Sequence, residues 1–176
     1  WYRVHGRHDL PWRKTRDPYR IFVSELMLQQ TQVERVIFQY ADFIKKFPTV
    51  HRCAHAPLAE IVIAWKGLGY NRRALYMKRA AEIIVRDYRG KFPKDYEALR
   101  ALPGIGDYTA RAIQTFAWGM SNVFIETNIR RVFLHEFFPD ANGVTDAMIF
   151  SVIQKTLPKK HIRKWYGALM DYGALA

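Results

Sequence analysis

Cysteine occurs once in the 176 residues, at Cys53. A lone thiol excludes an internal disulfide and any all-cysteine metal centre, so a reducing compartment suits the chain. No stretch approaches the roughly 18 consecutive apolar residues of a membrane-spanning helix, and no charged segment followed by an apolar signal core opens the chain, so no membrane partner is expected. Strand-length alternation of apolar and polar residues is missing, as are repeats and low-complexity segments. The six histidines are scattered without metal-ligand spacing. A Walker-type lysine loop, a serine nucleophile elbow and a dinucleotide-binding fingerprint are all absent. Cys53 between His51 and His55 reads as a surface helix start rather than as a thiol nucleophile. Acid is scarce too: 16 Asp and Glu face 28 Lys and Arg, a net charge of +12. A folded basic chain suits a polyanion, and nucleic acid is the usual one.

Present in quantity are apolar residues, 49% of the total, with 15% aromatic, enough to build a core without staples. The first twenty residues read as an irregular arm ending in a helix start, with Asp17 as N-cap and Pro18 at the first helical position. Helices are expected over about 19–30, 33–48, 58–65, 72–88, 96–101, 108–118, 127–138, 145–157 and 162–175, nine or ten in all. The fold class is therefore all-α with short connections.

Three stretches invite chemistry. In Leu102-Pro103-Gly104-Ile105-Gly106-Asp107-Tyr108-Thr109-Ala110, a Gly-x-Gly turn opens a helix whose first amides suit a phosphate, although a plain helix-turn-helix packing corner fits the pattern as well. Glu25 sits within Ile21-Phe22-Val23-Ser24-Glu25-Leu26-Met27-Leu28, a run apolar nearly all round. There it is either a buried acid with a raised pKa or a glutamate whose face meets solvent, and Gln29, Gln30 and Gln32 one turn on favour a polar cleft. Glu126, followed by Asn128, stands at a helix mouth, where it is either an ordinary helix-start acid or the second carboxylate of a pair divided between acid work and cation stabilisation in glycosidic cleavage.

Several stretches in this order resemble one family: Leu10-Pro11-Trp12-Arg13, Asp17-Pro18-Tyr19, Ser24-Glu25-Leu26-Met27-Leu28-Gln29-Gln30-Thr31-Gln32-Val33, Gly67-Leu68-Gly69-Tyr70, the glycine hairpin, and Met170-Asp171-Tyr172-Gly173-Ala174. The chain is similar to the helix-hairpin-helix DNA glycosylases, most closely to the MutY type that removes adenine. The resemblance implies a two-lobed helical protein with its active-site cleft between the lobes, flipping a base from duplex DNA and hydrolysing its N-glycosidic bond without a metal. On that pattern residues 18–125 form a central lobe containing the hairpin at 96–118, and residues 1–17 and 126–176 form the second.

By the same resemblance Glu25 protonates the departing adenine, with Glu126, Tyr108 and Asn128 completing the catalytic group. DNA contact falls to Gln29, Gln30, Gln32, Tyr70, Asn71, Arg72, Leu102, Gly104, Ile105, Gly106 and Thr109. Tyr108 stands where bifunctional relatives such as endonuclease III carry their lysine nucleophile, so hydrolysis without a lyase step is expected. Three departures stand out. Glu126-Thr127-Asn128 replaces an Asp-Gly-Asn context, Asn71 takes the place of a second wedge tyrosine, and the four cysteines of the relatives' iron–sulfur loop are absent, so no cofactor is expected in this chain. The expected partner is double-stranded DNA with adenine opposite 8-oxoguanine or guanine, bound by a monomer in the cytoplasm at the nucleoid if the source is prokaryotic. A uracil or thymine mismatch glycosylase and a non-catalytic lesion-binding module are the alternatives.

Overall fold

In the structure, a computed structural model describing residues 1–175, every regular element among the described residues is helical. The chain runs α1 (Tyr2–His5), a single 3-10 turn (Pro11–Arg13), α2 (Pro18–Leu28), α3 (Val33–Lys46), α4 (Val50–His55), α5 (Leu58–Ala64), α6 (Arg72–Tyr88), α7 (Tyr96–Arg100), α8 (Asp107–Trp118), α9 (Thr127–Phe137), α10 (Asp146–Thr156) and α11 (Ile162–Leu175). The all-α class holds. Eleven α-helices replace the nine or ten expected, because α1 and α4 are too short for apolar periodicity to reveal them. Local chemistry still specifies α4: the Thr49 side chain accepts the Arg52 amide as an N-cap. Cys53 on this helix is fully buried rather than at the surface, which corrects the expectation for that grouping. Its thiol packs against Tyr19, and burial pushes its pKa up to about 11, so the sulfur is inert.

Asp17 caps α2 by accepting the Tyr19 amide, with Pro18 in the first turn as expected. The helix stops at Leu28, two residues short of the expected end, because Gln30 turns left-handed at φ 54°.

Two apolar cores share one helix. The first gathers α2 to α7 around Phe22, Phe43, Phe47 and Trp65; the second joins α9, α10 and α11 around Phe124, Phe133, Ile149 and Tyr166. Helix α8 serves both, giving Ala110, Ile113 and Ala117 to the first and Ala112 to the second, while Phe116 packs against each. Small residues let neighbouring helices approach it closely, which makes α8 the spine on which the two halves meet.

The segment entering α9 is fixed by aromatics. Phe124 stacks on Tyr166 at 3.9 Å between ring centroids, and the Tyr166 hydroxyl donates to the Asn122 carbonyl at 2.7 Å. The N-terminal arm is tied to α11 by Asp171, a carboxylate only 2% exposed that receives Arg7 and Arg13 at 2.7 and 2.5 Å. Removing Asp171 leaves both arginines without their shared carboxylate and costs several times what an exposed pair is worth.

Candidate active site

Between the two cores lies a cleft of about 1250 Å³. Helix α2 supplies its floor. This helix is apolar on nearly every face because it runs through the first core, so Glu25 at its middle is buried with only 7% of its surface exposed. Burial raises the Glu25 carboxyl from its ordinary value of 4.5 to about 7; the Tyr108 hydroxyl against it pulls the other way, and the charge of Glu126 pushes it further up. Tyr108 on α8 is itself held protonated, first by burial and then by the two glutamates.

Glu126 reaches the same cleft from the other half. It is the N-cap of α9, its Oε1 accepting the Ile129 amide at 2.8 Å and its Oε2 the Asn128 side-chain amide at 3.3 Å. Glu126 is thus the helix-start acid of α9 and, in the same position, a lining residue of the cleft. Its pKa is also raised by burial, but the Asn128 and Ile129 amides and the charges of Arg131 and Arg7 oppose that rise. Gly173 makes this arrangement possible. A Cβ there would lie 2.2 Å from the Asn128 carbonyl oxygen, so only glycine lets α11 seat the first turn of α9 this closely.

Of the residues assigned to DNA contact, Gln29, Gln30, Tyr70, Asn71 and Arg72 all line the cleft. Gln32 is exposed at the start of α3 and lies outside the cleft lining, where Thr31 takes its place. The hairpin residues stand apart from the cavity. Leu102 and Ile105 bury their side chains in the first core, which leaves their backbone as the part able to meet a ligand. Gly104 adopts φ +80° and packs on Tyr76, where a Cβ would come within 2.9 Å. Gly106 precedes α8 with open space beside it. Thr109 is buried and accepts from the Gln29 side chain at 3.4 Å, linking the hairpin helix to the glutamine turn.

The sequence reading missed Arg73. Its guanidinium is buried at the end of α2 and donates to carbonyls on either side of it, those of Leu26 and Met27 and that of Gln29 on one side, those of Leu68 and Gly69 on the other. The single signal available was the run Asn71-Arg72-Arg73, in which nothing distinguishes the buried arginine from the exposed one. Its bonds support two non-glycine residues in the left-handed region, Gln30 at φ 54° and Tyr70 at φ 46°, each costing roughly 1–2 kcal/mol of backbone strain.

Among the described residues no group of three or more His, Cys, Asp or Glu side chains could hold a metal ion. The four-cysteine iron–sulfur cluster that the sequence resemblance brings to mind does not fit the residues present, since Cys53 is buried and is the one cysteine of the chain.

The family model described as "HhH-GPD superfamily base excision DNA repair protein" matches residues 23–159. The chain belongs to this superfamily. Among curated relatives, the adenine DNA glycosylase of Buchnera aphidicola subsp. Baizongia pistaciae is 38% identical over 99% of the chain, and that of Mycolicibacterium smegmatis 39% identical over 99%. The alignments take in 50% and 60% of those proteins, so the HhH-GPD chain spans little more than half of their length. A solved thermostable thymine-DNA glycosylase superposes with a TM-score of 0.83 at 31% identity, covering 96% of this chain and 79% of that one.

Proposed function

We propose that this HhH-GPD chain is a monofunctional DNA glycosylase that hydrolyses the N-glycosidic bond of adenine mispaired with 8-oxoguanine or guanine. The observation that carries the reading is the pairing of two carboxyl groups in one cleft, Glu25 sealed in apolar surroundings and Glu126 held by amides and cations. The neutral Glu25 carboxyl gives its proton to a ring nitrogen of the everted adenine. The bond from C1′ to the base then breaks, its electron pair leaving with the base. The carboxylate of Glu126 stabilises the oxocarbenium-like sugar until water adds to C1′ and loses a proton to solvent or to Glu25. Tyr108 carries no amine, so a Schiff-base lyase route through this position is closed and the abasic strand leaves intact.

Duplex DNA as partner is supported by the cations of the cleft lining, Arg16, Arg72, Arg163 and Lys164, on a chain of net charge +12. The amides of the hairpin turn would take a phosphate of the strand carrying the everted nucleotide. Adenine as the base excised is supported by the names of the two relatives. The likeness to the thymine-DNA glycosylase supports a second reading, excision of thymine or uracil opposite guanine.

Single-turnover assays on duplexes with adenine opposite 8-oxoguanine, adenine opposite guanine, thymine opposite guanine and uracil opposite guanine separate the two. Abasic product from the adenine duplexes is expected. Product from the pyrimidine mispairs alone establishes the second reading, and binding without product on all four overturns both.

A further inference from the structure

We propose that Arg73 is a positioning residue that locks the Gln30 turn and the Tyr70 turn together, so that the side chains meeting the duplex are set as one rigid wedge. The inference rests on the glycosylase reading above. Gln30 and Tyr70 come from segments 40 residues apart in sequence, yet both line the cleft, both are exposed, and both are non-glycine residues in the left-handed region. Residues in that conformation persist only where their surroundings over-determine them.

What over-determines them is one guanidinium. Arg73 Nη1 donates to the carbonyl of Gln29, the residue before Gln30; Nη2 donates at 3.2 Å to that of Gly69, the residue before Tyr70. The same two nitrogens reach the Leu26 carbonyl at 2.8 Å and the Leu68 carbonyl at 3.0 Å, anchoring each turn to the element behind it. The guanidinium also lies 5.5 Å from the ring centroids of both Trp65 and Tyr70. Thr31 closes the bridge: its hydroxyl takes a bond from Arg73 Nη2 at 3.1 Å and lies 3.4 Å from the Leu68 carbonyl.

A guanidinium placed only to satisfy itself would meet a carboxylate. This one answers carbonyls on two loops and leaves its own buried Nε without a partner. Its charge is stabilised by the carbonyl end of α2. A lysine cannot substitute, because an ammonium is a point donor that cannot span two sets of carbonyls held by a planar fork.

The consequence concerns base eversion rather than bond cleavage. A wedge must push into a stacked, paired duplex, and a turn that yields under that load cannot. Arg73→Lys is therefore expected to lower single-turnover excision of adenine from a paired mismatch by about 10- to 100-fold, the loss that follows a misplacement of about 1 Å. Excision of adenine lying opposite an abasic position, where no partner base has to be parted from it, should fall by less than about 3-fold. Thr31→Val, which removes one strand of the bridge and spares the buried cation, should show the same bias at smaller amplitude. Amide hydrogen exchange on the free protein supplies a readout independent of catalysis: in Arg73→Lys, residues 29–31 and 68–70 should lose protection together while α8 keeps its own.

Equal losses on the paired and unpaired substrates would overturn the proposal, as would loss of protection in one turn alone. A wild-type protein inactive on every mispair would overturn the glycosylase reading instead, and the exchange pattern would then decide the coupling of the turns by itself.

Discussion

Glu25 and Glu126 face one cleft from opposite halves of the molecule, and their surroundings treat them differently. Glu25 sits midway along a helix with both neighbouring turns buried, far from any free backbone amide, and the Tyr108 hydroxyl is the one group that eases its burial. Glu126 sits at the first turn of a helix, where amides point toward it and Arg131 and Arg7 lie close. Burial raises both carboxyl groups, but at Glu126 a helix terminus works against the rise, whereas at Glu25 nothing of that kind does. Mid-helix and helix-start positions thus hold the same side chain in opposed settings, and on the function proposed above the first is the acid and the second the anion of glycosidic cleavage.

The largest test of that contrast is removal of the acid. Glu25→Gln should lower single-turnover excision by about two to four orders of magnitude while duplex affinity, measured by fluorescence anisotropy, stays within a few fold. Unchanged turnover would end the assignment of Glu25. Glu126→Asp probes the anion: aspartate still caps a helix, so the fold should stand, but withdrawing the carboxylate by one methylene should slow excision by about 10- to 100-fold. A faster variant would mean that the longer side chain is a handicap and that α9 was not shaped around it.

Proton linkage separates the two groups next. Since Glu25 must be neutral to act, excision should fall as the pH rises through about 7, a limb that the Gln variant should lack. Stability follows the same sign. The folded pKa is raised above the unfolded value, so the contribution of Glu25 is fully present below about 4.5 and is lost as the pH climbs through about 7. Glu25→Gln should accordingly stabilise the protein by up to about 3 kcal/mol at pH 8 and leave it unchanged near pH 4, as read by denaturant unfolding. A constant difference across that range would remove burial as the cause. A smaller effect tests the seat of Glu126: Gly173→Ala should cost about 1–3 kcal/mol, because its Cβ meets the Asn128 carbonyl. Gly106→Ala, whose Cβ meets open space, should stay within about 0.5 kcal/mol.

Legibility in the sequence followed the range of the interactions. Helix α6 was expected over 72–88 and is found there, because an apolar stripe and a glycine-marked turn are local signals. The six-residue α4 reads only as a surface helix start around Cys53, since a cap and one buried turn leave no periodicity to give it bounds or burial. Gln32 reads as the companion of Gln29 and Gln30, yet the left-handed step at Gln30 turns the chain and leaves it outside the cleft. Arg73 was invisible for a different reason. Its partners are carbonyls, which every residue carries, so no side-chain pattern announces them.

By itself, then, the sequence determined the helices other than α1 and α4, the all-α class and the presence of a carboxylate inside an apolar helix, since caps, spacing and hydrophobic periodicity act within a few residues of the chain. Tertiary structure alone decided that Glu126 shares a cleft with Glu25, that Gly173 admits α9 against α11, and that one arginine joins two distant turns. Each of those depends on which surfaces meet across the cores, and the sum of many small packing contacts, rather than any local motif, settles that meeting.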